Sequence, residues 1–164
     1  MASVNGLTIK SLRSYEGREG ITFQGNLYLG NKKLGFWSQD GNGGPDRFEL
    51  DSKYSVSKLI QSLGLKEDYE LECVMGNIVK TISDEKFFKK HIDENHALYI
   101  LNFYGKVDSW IIPRNCPKKD IDAFRDKYLQ DKNLNSDQLS EEKLYRSISD
   151  FEIGDPISIN DILS

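Results

Sequence analysis

Apolar and polar side chains alternate through the first fifty residues in a pattern that predicts β-strands. From Ile21 to Leu29 every second residue is apolar or glycine, and polar or aromatic side chains lie between them. A period of two places one face of a strand on a core and the other toward solvent or a partner. Turn residues near Gly20 and Gly30 separate this strand from its neighbours. The predicted strands of this β-meander are 7–12, 21–29, 34–39 and 47–50.

Later in the chain, apolar residues recur every three or four positions, which is typical of amphipathic helices. Strand character returns at 97–104 and 106–112, on either side of a tight turn near Gly105, and predicts a second hairpin. The predicted helices are 55–63, 66–82, 85–94, 117–130 and 138–149.

This order of elements predicts an α+β fold, because the strands come in hairpins and do not alternate singly with helices. The sheet is expected to be mainly antiparallel, built from the N-terminal β-meander and the later hairpin, and packed with about five helices. We expect one domain over residues 1–164. Its predicted parts are the β-meander at 1–50, the helices plus second hairpin at 51–134, and an acidic C-terminal segment at 135–164.

Charge is distributed unevenly along the 164 residues. The net charge of −4 comes from 22 basic and 26 acidic side chains, but residues 135–164 alone carry 2 basic and 7 acidic ones. An acidic balance argues against a protein dedicated to coating nucleic acid. The acidic segment is interpreted as a solvated surface, as a weak repeller of nucleic acid, or as a surface that meets a basic partner.

The sequence predicts a cytoplasmic protein without a cofactor. The two cysteines match neither a disulfide framework nor a metal-ligand pattern. No basic segment followed by an apolar one, as in a signal peptide, is visible at the start. The longest apolar run, Ala97–Leu101, is far too short for a membrane span, and no particular oligomeric state is indicated.

Three features are weighed as candidate chemistry. The glycine-rich loop Asp40–Pro45 is interpreted as a structural turn or as an anion-binding loop, since it lacks the Lys and Ser/Thr of a P-loop. As a calcium loop it has Pro45 where glycine is required. His91 and His96 are five residues apart, whereas metal ligands on a helix prefer a spacing of four.

Cys116 is the one candidate nucleophile. It precedes Pro117, so a position at the N-cap of the next helix, near basic residues, is expected to favour its thiolate. A nucleophile also needs a base within hydrogen-bond reach. An ordinary loop cysteine and a reactive thiol therefore both stay open.

Tyr28 and Trp37 fall on the polar side of their strands if the core face holds Phe23, Leu27, Leu29, Leu34 and Phe36. Both rings would then face outward near Arg47 and other basic residues. Tyr, Trp and Arg are typical of protein–protein hot spots, and the same set can stack bases and hold phosphates. A third alternative is that helices cover this face and bury both rings.

The run SLRSYEGREGITFQGNLYLGNKKLGFWSQDGNGGP resembles the start of small proteins of phages and other mobile elements. The shared features are EG-x-EG at Glu16–Gly20, a hairpin turn with two lysines at Asn31–Gly35, and DGNGG at Asp40–Gly44. The resemblance implies an anti-defence inhibitor of the anti-CRISPR kind. It assigns no role to any residue.

The leading expectation is therefore a non-enzymatic binding protein that blocks the nucleic-acid-binding surface of a host nuclease, such as a CRISPR effector. The alternatives are a nucleic-acid or nucleotide-ligand binder that uses the N-terminal sheet and the glycine loop, and a thiol-dependent enzyme centred on Cys116. The residues predicted to bind the protein partner are Tyr28, Trp37, Arg47, Glu141, Glu142, Asp150 and Glu152.

Overall fold

The computed structural model describes residues 1–164, and the chain forms two compact units. The first unit contains Met1–Glu85 and Phe151–Ser164, and the second contains Lys86–Asp150. The prediction of a single domain stays a prediction.

The predicted α+β class with mostly antiparallel sheets is confirmed. The strands are β1 (Ser3–Val4), β2 (Leu7–Glu16), β3 (Ile21–Leu29), β4 (Lys32–Gln39), β5 (Arg47–Leu50), β6 (His96–Phe103), β7 (Lys106–Pro113), β8 (Leu139–Tyr145) and β9 (Glu152–Ile153). The helices are α1 (Val56–Ser62), α2 (Asp68–His91) and α3 (Lys118–Asp131), with short 3-10 turns at Ser136–Gln138, Ile148–Phe151 and Ile159–Ile162.

The first unit is built on a six-stranded sheet with the strand order β5-β4-β3-β2-β1-β9. All neighbours are antiparallel except β1 and β9, which run parallel. One face of this sheet is buried and forms the core together with apolar residues of α1, α2 and the C-terminal 3-10 turn. The buried residues include Leu7, Ile9, Leu27, Leu29, Leu34 and Trp37 on the sheet, and Leu59, Leu71, Met75, Ile78 and Ile162 outside it.

Between Lys33 and Gly35, strand β4 contains one more residue than the segment of β3 that it pairs with. Leu27 lies opposite Gly35 and Tyr28 lies opposite Lys33, so Leu34 has no opposite residue. Such a β-bulge changes which side chains point to each face. From Gly35 to Gln39 the side chains still alternate, but the faces are exchanged relative to the alternation that the sequence suggested for 34–39.

The second unit has a three-stranded antiparallel sheet with the order β7-β6-β8, and α3 packs on one of its faces. The buried core residues are Tyr99, Leu101, Phe103, Ile121 and Leu129. Trp110 and Phe124 meet edge to face with their ring centroids 5.1 Å apart. The predicted hairpin at 97–104 and 106–112 is thus confirmed as β6 and β7.

Three α-helices are present where about five were predicted. The two predicted helices at 66–82 and 85–94 are one continuous helix, α2, because Ser83 and Asp84 do not interrupt it. The prediction of a helix at 138–149 is wrong. Most of that segment is β8, which pairs with β6 over six residues, and this long-range pairing overrides the local helical spacing.

We expect Gly35→Ala to destabilise the first unit. A Cβ atom at this position would lie 2.2 Å from the carbonyl oxygen of Glu49 and 2.6 Å from the Cα atom of Leu50, both backbone atoms of the neighbouring strand. Overpacking of this kind costs about 1–3 kcal/mol. Urea denaturation is expected to show a lower midpoint with an unchanged slope.

Gly76→Ala is the matched control for this substitution. Gly76 lies inside α2, and no atom lies within 4 Å of where its Cβ would be. Alanine is favoured over glycine in a helix by about 0.5–1 kcal/mol, so this variant should be more stable than the wild type. If Gly35→Ala stabilised the protein as much as Gly76→Ala does, the close approach of β5 would not be the reason for glycine at position 35.

Candidate binding face

The second face of the six-stranded sheet stays open to solvent. Thr8, opposite Tyr28, is buried on this face with its hydroxyl bonded to the carbonyl oxygen of Ala2, and the other residues of β2 to β5 on this face are exposed or partly exposed. We call this surface the open face. Its residues are Lys10, Arg13, Tyr15, Thr22, Gln24, Asn26, Tyr28, Lys33, Phe36, Ser38, Arg47 and Glu49.

The open face is positively charged, although the whole chain has a net charge of −4. It carries the cations Lys10, Arg13, Lys33 and Arg47 against one carboxylate, Glu49. None of these four cations forms an ion pair, whereas most of the other arginines and several lysines of the chain are engaged by polar groups. No carboxylate of the chain therefore neutralises these four cations.

The cations lie on both sides of the central strand β3. Lys10 and Arg13 belong to β2 on one side, and Lys33 and Arg47 belong to β4 and β5 on the other. Between them, β3 presents uncharged groups that both donate and accept hydrogen bonds. These groups are the side chains of Thr22, Gln24, Asn26 and Tyr28.

Three aromatic side chains share this face. Tyr15 is half exposed, and Tyr28 and Phe36 are partly exposed. Phe36 lies opposite Asn26, two residues from Tyr28 along β3, and such diagonal neighbours are about 7–8 Å apart. The ammonium group of Lys10 lies 4.2 Å from the centroid of the Tyr28 ring, a cation–π contact.

The prediction that Trp37 faces outward is wrong. Trp37 is fully buried, because the bulge at Leu34 turns it toward the core and turns Phe36 toward solvent. Its indole Nε1 donates a hydrogen bond of 2.8 Å to Oδ2 of Asp46. The orientation of Tyr28 agrees with the outward alternative, and Arg47 lies on the same face.

Asp46 anchors the glycine-rich loop between β4 and β5. Its backbone N–H donates to a carboxylate oxygen of Glu72 at the start of α2, at 3.1 Å. Burial raises the pKa of the Asp46 carboxyl, the hydrogen bond from Trp37 opposes this change, and the nearby Glu72 carboxylate adds to it. The second oxygen, Oδ1, is buried without a hydrogen-bond partner.

The glycines of this loop also meet the β2–β3 turn. A Cβ atom on Gly41 would lie 2.6 Å from the carbonyl carbon of Gly20 and 2.8 Å from the backbone nitrogen of Ile21. Two backbones in such close contact explain why glycine is needed here. The structural-turn interpretation of Asp40–Pro45 is the one this geometry favours, and a notch of about 300 Å³ beside it reaches Thr22 of the open face.

Glu142 belongs to a polar network inside the second unit. It accepts a hydrogen bond of 2.6 Å from the hydroxyl of Tyr99 and one of 3.2 Å from Arg125. Burial, followed by the contact with Glu142, raises the pKa of the Tyr99 hydroxyl well above its usual range. Arg125 also pairs with Asp122 at 3.2 Å. The network lines a cavity of about 290 Å³, but its charged groups are paired with one another.

The other predicted acidic residues also have partners within the chain. Glu141 pairs with Lys143 at 2.7 Å, and Glu152 lies 3.4 Å from the N-terminal ammonium group. Asp150 accepts hydrogen bonds from the backbone N–H groups of Arg146 and Ser147. The four acidic side chains are therefore tied to separate local partners.

Cys116 and the two histidines do not come together. The expected N-cap position of Cys116 is wrong: Pro117 is the N-cap of α3, and Cys116 packs against the core of the second unit. The Sγ of Cys116 lies 3.9 Å from the carbonyl oxygen of Pro117, and no base contacts it. His91 stacks on Phe87, and His96 bonds to Asp93 at 2.7 Å.

No group of three or more His, Cys, Asp or Glu side chains is arranged to hold a metal ion. None of the helices has both the length and the apolar character that crossing a membrane requires.

Comparisons with protein-family models, curated proteins and solved structures give no match to this chain. The phage or mobile-element origin implied by the N-terminal motifs stays a prediction. The open face is the feature from which a function is proposed. Sequence reasoning missed Tyr15 and Phe36 on it. Tyr15 has the same parity as the buried Leu7 and Ile9, and it reaches the open face because β2 contains one extra residue between Lys10 and Arg13.

We expect Asp46→Asn to preserve or raise stability at pH 7. The raised pKa of Asp46 means that the folded state binds a proton more tightly than the unfolded state. That contribution to stability is complete below the ordinary Asp pKa of 3.8 and is lost as the pH rises through the raised folded pKa. Asparagine still accepts the bond from Trp37 but carries no charge.

Asp46→Ala is the matched control, because it removes the acceptor and leaves the buried indole N–H unpaired. That costs about 1–3 kcal/mol. Urea denaturation at a series of pH values from 3 to 8, on the wild type and both variants, measures these differences. If Asp46→Asn and Asp46→Ala destabilised the protein equally, this would contradict the statement that the buried Asp46 charge, and not the hydrogen bond from Trp37, lowers stability at pH 7.

Proposed function

We propose that this protein binds single-stranded nucleic acid on the open face. The observation that carries the proposal is the combination of four cations without an ion-pair partner and three aromatic rings on one antiparallel sheet face. Proteins bind single strands by combining a positive surface that follows the phosphates with aromatic side chains on which bases stack. Open sheets with exposed aromatic residues serve this role in RNA-binding modules.

The row of uncharged residues on β3 suits the bases. The amides of Gln24 and Asn26 can each donate and accept, which matches the mixed donors and acceptors on base edges. The cations on the flanking strands then lie where phosphates pass. A double helix would keep its base faces stacked and out of reach of these rings, so a single strand is the expected form of the ligand.

Stacking on Tyr28 competes with the ammonium group of Lys10. An exposed cation–π contact is worth about 0.5–1 kcal/mol. Stacking of a base on an aromatic side chain contributes about 1–3 kcal/mol. The base is thus expected to displace Lys10, and the freed ammonium group is then available to a phosphate.

The acidic net charge of the chain does not oppose this proposal. Exposed charges farther apart than about 8 Å are largely screened at physiological ionic strength. A bound strand therefore responds mainly to the local excess of cations on the open face.

A second candidate is an anti-defence inhibitor of a protein such as a CRISPR effector. The sequence suggested that it blocks the nucleic-acid-binding surface of that protein, whereas the positive open face would suit an acidic surface of the partner. Tyr and Arg are the residue types of interface hot spots, and the exposure of Tyr28 and Arg47 on one face favours this candidate. The two candidates differ in whether an isolated oligonucleotide binds.

We expect Tyr28→Ala to weaken binding of a single-stranded oligonucleotide, with a loss of about 1–3 kcal/mol, or roughly 5- to 150-fold. Fluorescence anisotropy with labelled single-stranded DNA and RNA measures the affinity. Tyr104→Ala is the matched control, because Tyr104 is a 77% exposed tyrosine on the β6–β7 turn and is not part of the open face. Equal losses in the two variants would count against stacking on Tyr28.

We also expect the affinity to fall steeply with salt. Four phosphate contacts to a single strand give a slope of about −3 for log affinity against log salt concentration, and Arg13→Ala should reduce its magnitude by about 0.7. Lys119→Ala, an exposed cation of α3, should leave the slope unchanged. Absence of oligonucleotide binding at low salt would reject the proposal and leave the protein-partner candidate.

A further inference from the structure

Strand β7 is an edge strand that is protected against pairing over only part of its length. Proteins protect sheet edges with short strands, charges, bulges or prolines. Strand β5 has four residues, β9 has two, and β8 carries three consecutive charged residues and a bulge. Strand β7, in contrast, has eight residues in a continuous register; its charges lie at Lys106 and Asp108 and its proline is the last residue, which leaves the uncharged run Ser109–Ile112 between them.

The outer side of β7 presents free backbone groups. The turn at Tyr104 and Gly105 has positive φ at both residues (49° and 82°), so Phe103 and Lys106 form the first hydrogen-bonded pair of the hairpin. In an antiparallel ladder, alternate residues then bond to β6. The N–H and C=O groups of Val107, Ser109 and Ile111 therefore point away from the sheet and have no partner.

The same edge exposes apolar side chains. Val107 is 47% exposed and Ile111 is 50% exposed, and both lie on the face of the sheet opposite Trp110. Phe124 of α3, in contact with Trp110, is 39% exposed. A strand placed beside β7 would thus gain hydrogen bonds in the plane of the sheet and apolar contacts around it.

We propose that β7 pairs antiparallel with β7 of a second copy of this chain, with the two-fold axis at Ser109. In this register Ser109 lies opposite Ser109, and Val107 lies opposite Ile111 of the second copy on both sides of the axis. The three outward-facing residues of each copy then form hydrogen-bonded pairs. Two pairs of β-branched side chains cover each other, a combination that stabilises sheets.

The neighbouring registers of this β7–β7 pairing are unfavourable. We therefore expect two copies to pair with Ser109 on the two-fold axis. A shift of two residues in one direction places Asp108 opposite Asp108, and like charges directly opposite are destabilising. A shift in the other direction places Pro113 at a hydrogen-bonded position, where it has no N–H to donate. The sequence of β7 is therefore complementary to itself about Ser109.

This pairing is independent of the proposed nucleic-acid binding, because none of its residues lies on the open face. One pair of edge strands buries less surface than the roughly 1,200–2,000 Å² of a stable interface. We therefore expect a reversible dimer with a dissociation constant in the micromolar range.

Sedimentation equilibrium on the full chain tests the proposal over protein concentrations up to about 100 µM, the range of weak interfaces. The wild type should exceed its monomer mass of 18.8 kDa and approach twice that value. The double variant V107K/I111K places like charges opposite each other in both pairs and should be monomeric. V107K/I111E places opposite charges there and should restore dimers.

Both double variants change exposed side chains, and Ile21→Lys, at a 51% exposed residue of β3, is the matched control that should leave the mass unchanged. Amide hydrogen exchange provides a second measurement. Protection at Val107, Ser109 and Ile111 should rise with protein concentration. The proposal is overturned if the wild type stays at 18.8 kDa, if V107K/I111K dimerises like the wild type, or if V107K/I111E is no more dimeric than V107K/I111K.

Discussion

The single extra residue in β4 determines which side chains of that strand enter the core, and one extra residue between Lys10 and Arg13 does the same for β2. Because Leu34 has no opposite residue in β3, both Leu34 and Trp37 enter the core although they are three positions apart. Phe36 is turned to the solvent side by the same bulge. Trp37 in turn binds Asp46 and so positions the loop that leads to β5. Gly35 makes this arrangement feasible, since the backbone of β5 occupies the space where a side chain would begin.

Sequence periodicity predicted the parts of the fold that regular pairing determines. The alternation in β3 identified the buried Leu27 and Leu29 and the outward Tyr28, because that strand keeps its alternation throughout. The same reasoning placed Trp37 wrongly, since a bulge is a property of two paired strands and leaves no period in one of them. The segment 138–149 shows the same limit. Its spacing favours a helix, but pairing with a strand about forty residues earlier makes it β8.

Charge is a second case in which order along the chain misleads. Counting along the sequence concentrates the acidity in residues 135–164, but three of the seven acidic side chains there, Glu141, Glu142 and Asp150, bind Tyr99, Arg125, Lys143 or backbone N–H groups. The sheet instead collects cations that are up to 37 positions apart in the sequence, from Lys10 to Arg47, on one face and leaves them unpaired. A local excess of positive charge on an acidic protein is thus a product of strand order, which no sum over a segment reveals.

The edge of β7 and the open face differ in the kind of ligand that they suit. The edge of β7 offers backbone groups with uncharged side chains, so its natural partner is another strand. The open face has its backbone groups satisfied within the sheet and presents only side chains, spaced about 4.8 Å across strands and roughly 7 Å along them. It is a repeating surface of cations, amides and rings with no deep cavity. A flexible polyanion with repeating flat groups fits such a surface better than a compact small molecule, which would need the enclosed pocket that a flat sheet does not provide.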